Sequence, residues 1–371
     1  MIAPGNGGAR PGDRVLVAMS GGVDSSVAAA LLVEEGYDVV GVTMKTFCYT
    51  GTEDHGKTCC GLDGIADARR VADKLGIPHY VFDVEEDFTR DVIDDFVAEY
   101  ARGRTPNPCV RCNAYTQFRD LMARGVQLDC RAIASGHYVR IEHGPHGSRL
   151  LRGADRTKDQ AYFLWGLPPQ LLPQLLFPLG GWTKPEVRER ARAMGLITAE
   201  KPESQEICFV PTGDYRDLLR RRLSARHPTL EPGNLVTPDG SVVGEHEGYA
   251  GFTVGQRRGR GGGFDSPMFV IEVRPDTREV VIGPRSALES VGAVVETPHW
   301  LNTPPRAGDE VRIQIRHRAD GVPATVESID DDAVEVRFTT PQRAVTPGQS
   351  AVIFADGDVV LGGGRIDRRV S

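Results

Sequence analysis

Arg14-Val15-Leu16-Val17-Ala18-Met19-Ser20-Gly21-Gly22-Val23-Asp24-Ser25, continued by Ser26-Val27-Ala28-Ala29-Ala30-Leu31-Leu32-Val33-Glu34-Glu35, decides the fold. Arg14–Met19 is apolar without alternation, the pattern of a strand covered on both faces of a parallel sheet. Ser25–Glu35 reads as a helix closed by Gly36. The loop between them has the makings of an anion site. Gly21 and Gly22 let the backbone turn and approach a ligand closely, the turn's N–H groups converge, and the helix start adds partial positive charge. Ser20 and Ser25 add hydroxyls, and Asp24 suits either orienting the loop or holding Mg²⁺. No Gly-Lys-Ser/Thr follows, so the loop is not a Walker A motif, and its spacing is not the dinucleotide fingerprint. The plain alternative is an ordinary strand-to-helix turn with capping serines.

Outward from this stretch the pattern repeats. Asp38–Met44, His79–Val84 and Arg131–Ser135 running on into Gly136-His137-Tyr138 read as strands. Ala66–Leu75, closed by Gly76, and Phe88–Ala101 read as helices. Alternating strand and helix predicts an α/β fold, a parallel sheet with helices on both faces. The pattern changes after about Pro211. An Arg-rich helix, Asp214–Ala225, precedes short strands at Val242–Val254, Met268–Val273 and Glu279–Ile282. Five further β-like runs, Asp309–His317, Ala324–Ile329, Ala333–Phe338, Ser350–Ala355 and Val359–Ile366, predict a small closed barrel. The expected division is a leader over 1–12, an α/β catalytic domain over 13–213, a small central domain over 214–285 and a C-terminal β-barrel over 286–371.

Composition narrows the class. The 371 residues are 40% hydrophobic and 26% charged, values of a globular chain and not of a disordered one. No run of about 18 apolar residues exists, and Met1–Asp13 is Gly/Pro-rich without the apolar core of a secretion signal, so a cytosolic protein with no membrane partner is expected. A net charge of −7 argues against gripping nucleic acid by bulk charge, while leaving room for a local basic face.

The seven cysteines are an odd set for a disulfide framework and point instead to thiol chemistry or metal binding. Thr105–Asn113 (TPNPCVRCN) is a Pro-braced loop carrying a CxxC, flanked by Arg104 and Arg111, which can keep a thiol exposed and its pKa low. Cys208 stands nearly a hundred residues on, in Ser204–Val210 (SQEICFV). Thiolates at such positions are nucleophiles and carriers of sulfane sulfur. A CxxC is also half of a structural metal site, and a lone cysteine is often a small buried hydrophobe. Cys48, His55, Cys59 and Cys60 fit no zinc spacing and read as a loop near the nucleotide. Arg220–Arg222 and Arg257–Arg260 suit either phosphate contacts or solvated surface.

Ser20–Ser25 resembles the PP-loop of the N-type ATP pyrophosphatases, which split ATP into AMP and pyrophosphate while adenylating a carbonyl or carboxyl oxygen. Ser135–Tyr138 (SGHY), Thr157–Leu164 (TKDQAYFL), Gly251–Gly259 (GFTVGQRRG) and the two cysteine segments follow in order. Together they make residues 13 to 366 resemble the tRNA-specific 2-thiouridylase family. The resemblance implies ATP-dependent 2-thiolation of the wobble uridine of tRNA, with Mg²⁺ and the loop holding the leaving pyrophosphate. It implies that Ala18, Met19, Ser20, Gly21, Gly22, Val23, Asp24 and Ser25 bind the ATP phosphates, that Met44 contacts adenosine and that Gly136 lies against the nucleotide. Cys112 would be the nucleophile and Cys208 the persulfide carrier, the two ending as a disulfide. Asn107, Pro108 and Cys109 would border the target base, and Lys158, Asp159, Gln160, Arg316 and His317 would touch the anticodon arm. The sulfur would come from a cysteine desulfurase or a relay protein. Many members carry Asp where this chain has Cys109, which leaves two readings of the CxxC. Three alternatives stand beside this one: an Fe–S cluster on Cys109, Cys112 and Cys208, a PP-loop synthetase acting on a small molecule, and an RNA-binding protein with an inactive nucleotide site.

Overall fold

The strand read from Arg14 onward lies at the centre of a five-stranded sheet, β1 (Arg14–Ala18), with its last four residues fully covered. The structure, a computed structural model, describes residues 8–46, 62–145, 147–203, 207–210, 213–257 and 266–371. Cys48, His55, Cys59, Cys60, Ser204–Glu206, Arg258, Gly259, Arg260 and most of the leader lie outside the described residues.

After β1 come α1 (Val23–Glu34), β2 (Asp38–Lys45), α2 (Leu62–Leu75) and β3 (His79–Asp83). Helical segments α3 (Glu85–Phe88), α4 (Asp94–Ala101), α5 (Pro108–Arg111) and α6 (Leu121–Val126) lead to β4 (Ala132–Ala134). A hairpin of β5 (Val139–Gly144) and β6 (Gly147–Arg152), the short β7 (Leu175–Leu176) and α7 (Lys184–Ala193) complete the first half. The sheet order is β3-β2-β1-β4-β7, parallel throughout. β1 is therefore flanked by β2 on one side and β4 on the other, so the chain reverses its direction of winding there. In an open parallel sheet the crevice beyond the strand ends at such a point is where ligands bind. α1 packs against α2 and α7, and Val23 and Ser25–Leu32 are all buried, which explains why its sequence is apolar all round instead of on one stripe. Val15, Val17, Val27, Leu32, Ala132 and Leu179 anchor this core.

Two expectations shift in detail. Phe88–Ala101 is helical but not one α-helix: a π-helical turn, Thr89–Ile93, separates α3 from α4. The fourth strand stops at Ala134, so Gly136-His137-Tyr138 form a loop at its C-terminal end.

The later half is β-rich, as read, except that the run Val242–Val254 is a strand only as far as His246 and passes through a 3-10 turn at Tyr249–Gly251. After α8 (Tyr215–Arg222), which Asp214 caps by accepting from Arg216 N at 3.0 Å, β8 (Gly233–Val236), β9 (Val242–His246), β10 (Phe269–Arg274) and β11 (Glu279–Gly283) form a sheet of order β10-β11-β8-β9. β12 (Glu289–Trp300), β13 (Glu310–Gln314), β14 (Val322–Ile329), β15 (Ala333–Arg343), β16 (Ser350–Phe354) and β17 (Val360–Val370) close a six-stranded barrel. The long strand absent from the sequence reading is β12, whose Gly292 and Pro298 mask its alternation while its middle pairs with both β15 and β17.

By packing, the chain divides into one unit of Met1–Val92, Cys109–Gly213 and Gly357–Val360, and a second of Ile93–Pro108, Asp214–Asp356 and Leu361–Ser371. Within the second unit the Ile93–Pro108 segment is fastened to the barrel. Thr105 N donates to Pro347 O at 2.9 Å, and Gln349 Nε2 donates to Thr105 O at 2.7 Å. Arg104 pairs with buried Glu99 at 2.8 Å and with Glu296.

Candidate active site

The crevice beyond β1 and β4 is lined by backbone. Gly22 is the N-cap residue of α1 and supplies no side-chain cap, so the first N–H groups of the helix point outward from the loop. The serines that follow turn inward: Ser26 Oγ donates to Gly22 O at 2.7 Å and Ser25 Oγ to the same carbonyl at 3.2 Å, while Ser25 Oγ accepts from Ser20 N at 3.2 Å. These bonds hold the loop's curvature, with the Ser20 amide itself engaged by Ser25 Oγ. Two glycines are required by space. Gly21 has φ +74°, and a Cβ there would lie 2.1 Å from Gly64 O on α2. A Cβ on Gly136 would lie 2.7 Å from Ser25 N and from the carbonyl carbon of Asp24, so the β4 loop presses directly on the start of α1. Met44 is half-buried near the end of β2, beside this crevice, with Ala18 and Met19 buried at the end of β1.

Asp24 does not face solvent alone. Its two carboxylate oxygens accept from Lys184 Nζ at 2.8 and 2.7 Å, and Oδ1 also accepts from the Tyr138 hydroxyl at 2.7 Å. The Tyr138 hydroxyl is pushed well above its ordinary pKa, first by burial and then by the Asp24 charge, so it stays a donor. Lys184 is 9% exposed at its side chain and also meets Glu203 Oε1 at 3.0 Å; Glu203 Oε2 in turn accepts from Lys158 Nζ at 2.7 Å. Lys201 Nζ donates to Gly21 O at 3.0 Å and to Asp67 at 2.5 Å, bracing the loop from its other side. Lys184, Tyr138, Glu203 and Lys201 were not singled out from sequence as site residues. One signal was present: Thr183-Lys184-Pro185-Glu186 is a capping box with Pro in the first turn, and it starts α7 so that Lys184 is its first residue.

The neighbouring expectations divide. Asp159, 6% exposed at its side chain, accepts from Gly153 N at 2.9 Å and Ala161 N at 3.1 Å, and burial raises its pKa. Gln160 Oε1 accepts from Tyr138 N at 2.9 Å. Gln160 therefore ties its segment to Tyr138, and Asp159 closes the 153–161 loop on itself. Lys158 is half-buried on Glu203. In the barrel, Arg316 and His317 are exposed on the loop after β13, and buried Gln314 holds that loop by donating to Arg316 O at 2.9 Å and His317 O at 2.8 Å.

Pro108 opens α5, so Cys109 sits exposed in a short helical turn, and Cys112 is half-buried at the first residue of a π-helical stretch, Cys112–Asp120. π-helical insertions recur at functional sites. Asn113 is buried, with Nδ2 donating to Phe163 O at 3.2 Å. The flanking Arg104 pairs with carboxylates of its own unit, while Arg111 Nε donates to Asp91 O at 2.7 Å with its guanidinium 4.7 Å from the Tyr115 ring centre. Cys208 is half-buried in the described turn Ile207–Val210, fixed by fully buried Phe209 edge-on to Phe88 at 5.8 Å. Cys109, Cys112 and Cys208 are all described, and among the described residues no group of three or more His, Cys, Asp or Glu side chains is placed to hold a metal ion. Nor is any described helix long and apolar enough to cross a membrane.

Comparison with known proteins places these features. Residues 13–212 match the family described as tRNA methyl transferase HUP domain, residues 221–284 the tRNA methyl transferase PRC-barrel domain, and residues 290–366 the aminomethyltransferase beta-barrel domain. The tRNA-specific 2-thiouridylase MnmA of Carboxydothermus hydrogenoformans is 50% identical over 96% of this chain and 98% of its own length. That of Geotalea uraniireducens is 49% identical over 96% of each chain. Among solved structures, a 4-thiouridine synthetase in complex with RNA and ATP is similar over 57% of this chain and 50% of that chain, at 16% identity and a TM-score of 0.36.

Proposed function

The chain belongs to the tRNA-specific 2-thiouridylase family, and from that premise we propose that it is a tRNA-uridine 2-sulfurtransferase, installing sulfur at C2 of the wobble uridine at the expense of ATP. The observation that carries the reading is a phosphate cradle made of backbone, Gly21 and Gly22 opening α1 with Gly136 pressed against it, in the same unit as Cys112 and Cys208.

The proposed reaction has two halves. The O2 oxygen of the uridine attacks the α-phosphorus of ATP, and pyrophosphate leaves. Amides at Ser20–Ser25 suit the charge that develops on the phosphates, with Met44 toward adenosine. Mg²⁺ is assigned to the ATP phosphates alone, since Asp24 is engaged by Lys184 and Tyr138. In the second half, Cys208 carries a persulfide loaded by a cysteine desulfurase or a relay protein. Either its terminal sulfur attacks C2 and the Cys112 thiolate then attacks Cys208 Sγ, breaking the S–S bond and leaving the outer sulfur on C2, or the Cys112 thiolate first attacks the Cys208 sulfur and expels sulfide, which attacks C2. AMP departs with the original oxygen. In both routes Cys112 and Cys208 end as a disulfide, and two electrons from a dithiol reductant restore them. Asn107, Pro108 and Cys109 border the base, and Lys158, Asp159, Gln160, Arg316 and His317 serve the anticodon arm, Asp159 and Gln160 by shaping the loop that presents Lys158. The geometry favours this thiol route over an Fe–S cluster, because the three cysteines do not converge as a ligand set.

Serine variants test the assignment. Cys208→Ser is expected to lose both protein-bound labile sulfur and thiolated tRNA. Cys112→Ser is expected to accept sulfur yet not turn over, and Cys109→Ser to retain activity. All three failing alike, with iron in anaerobically purified protein, would establish the cluster route instead. An inactive Cys109→Ser beside an active Cys112→Ser would move the nucleophile to Cys109.

A further inference from the structure

Beside the phosphate loop lies a cavity of about 500 Å³ whose lining includes Asp155, Lys158, Lys184, Arg188, Arg192 and Glu203. Two of its ammonium groups, on Lys158 and Lys184, are bridged by the single carboxylate of Glu203, one oxygen to each, at 2.7 and 3.0 Å. This is the arrangement in which a phosphate group is gripped by two lysines: one anion, two oxygens, one ammonium on each. Of its neighbours, Arg188 and Arg192 are basic, while Asp155 Oδ2 already accepts from Lys184 N at 3.0 Å. Lys184 is the first residue of a ten-residue helix, and its own charge is already balanced by Asp24 without Glu203. The carboxylate is exchangeable as well, since the side chains of Glu203 and Lys158 are 32% and 35% exposed.

We propose that Glu203 is a built-in competitor for phosphate at the Lys158–Lys184 pair, a carboxylate that occupies both ammonium groups until a substrate phosphate displaces it. The inference rests on the functional reading above, in which tRNA and ATP supply the phosphates. Glu203 is ionised to do this: the hydrogen bond from Lys158, then that from Lys184, hold its carboxyl below its ordinary pKa against the cost of burial.

Equilibrium binding to purified full-length protein tests this, with unmodified tRNA in one arm and a non-hydrolysable ATP analogue in the other. Glu203→Gln keeps the shape and removes the charge, and it leaves Lys184 on Asp24, so no buried ammonium is left unpaired. Its affinity is expected to rise by about 1.5-fold to fivefold, the range set by loss of a partly exposed competing ion pair. Damage to the fold lowers affinity instead, so the direction alone separates the two. Glu203→Asp is expected to return affinity toward wild type. In the tRNA arm, adding Lys158→Ala to Glu203→Gln is expected to abolish the gain. A gain for tRNA alone assigns the pair to an RNA backbone phosphate, and a gain for the analogue alone assigns it to the nucleotide. Unchanged or weaker binding of both by Glu203→Gln overturns the inference. Wild-type protein that binds neither ligand contradicts the functional reading itself.

Discussion

At the scale of single residues, the glycine turn Ser20–Ser25 between strand and helix was legible and the side chains that meet it were not. Ser20–Ser25 announces an anion site because glycine, hydroxyl and helix start are adjacent in the chain. Asp24 remained ambiguous, since its partners Tyr138 and Lys184 lie 114 and 160 residues away and only the parallel sheet brings them together. Asp24→Ala strips Lys184 of its two closest acceptors beside the loop, and Ser20→Ala removes a loop hydroxyl. Each is expected to abolish ATP–pyrophosphate exchange while leaving tRNA affinity near wild type; equal loss of both would show that the two functions are not separable. His137 gives a second residue-scale expectation. Its ring lies near Phe118 and Phe177, and burial lowers its pKa to about 4, from an ordinary value near 6.5. A depressed histidine pKa means that the unfolded chain binds the proton more tightly. Stability is therefore full above about pH 6.5 and falls as pH drops from there toward about 4. Melting temperatures across pH 7 to pH 4 are expected to fall less steeply for His137→Asn than for wild type, and parallel slopes would contradict this account of the ring.

At the scale of elements, α1, β1, β2 and β3 were readable because each is a local pattern bounded by glycine. α7 was missed, though Thr183 and Glu186 close a capping box, with Thr183 N and Oγ1 both donating to Glu186 Oε2 at 2.7 Å. Thr183→Ala is expected to cost about 1 kcal/mol of stability, the usual value of an N-cap. It is also expected to weaken ATP binding, because Lys184 is the next residue; calorimetry and nucleotide titration read the two effects separately. A lower melting temperature with unchanged ATP affinity would detach Lys184 from the nucleotide. The turn at Thr89–Ile93 that splits Phe88–Ala101 leaves no mark in the apolar spacing, since one extra residue per turn still keeps Phe88, Val92, Phe96 and Tyr100 buried. β12 was hidden for a different reason. Strands that pair on both sides within a barrel are specified by distant partners, and Gly292 approaches Val336 O so closely that a Cβ would lie 2.3 Å from it.

At the scale of the whole molecule, the net charge of −7 and an RNA substrate are compatible only if a few local cations carry the binding. Lys158→Ala and Arg316→Ala are each expected to weaken tRNA binding and to lower the salt slope by about one, as for one lost phosphate contact. Unchanged slopes for both would remove them from the interface. The change from α/β to β after about residue 211 was visible in the pattern of short β-like runs. The inclusion of Ile93–Pro108 in the barrel's unit was not, because it depends on Arg104, Thr105 and their partners at Glu296, Pro347 and Gln349. The central claim, that this chain thiolates a tRNA base through ATP and Cys208, is tested most directly by nucleoside mass spectrometry of unmodified tRNA. The tRNA is incubated with purified protein, ATP, cysteine, a cysteine desulfurase and a dithiol reductant. The account predicts 2-thiouridine at the wobble position, one AMP formed per sulfur inserted, and none of either product with Cys208→Ser. Absence of 2-thiouridine with the wild-type protein, or its formation without ATP or without Cys208, would contradict it.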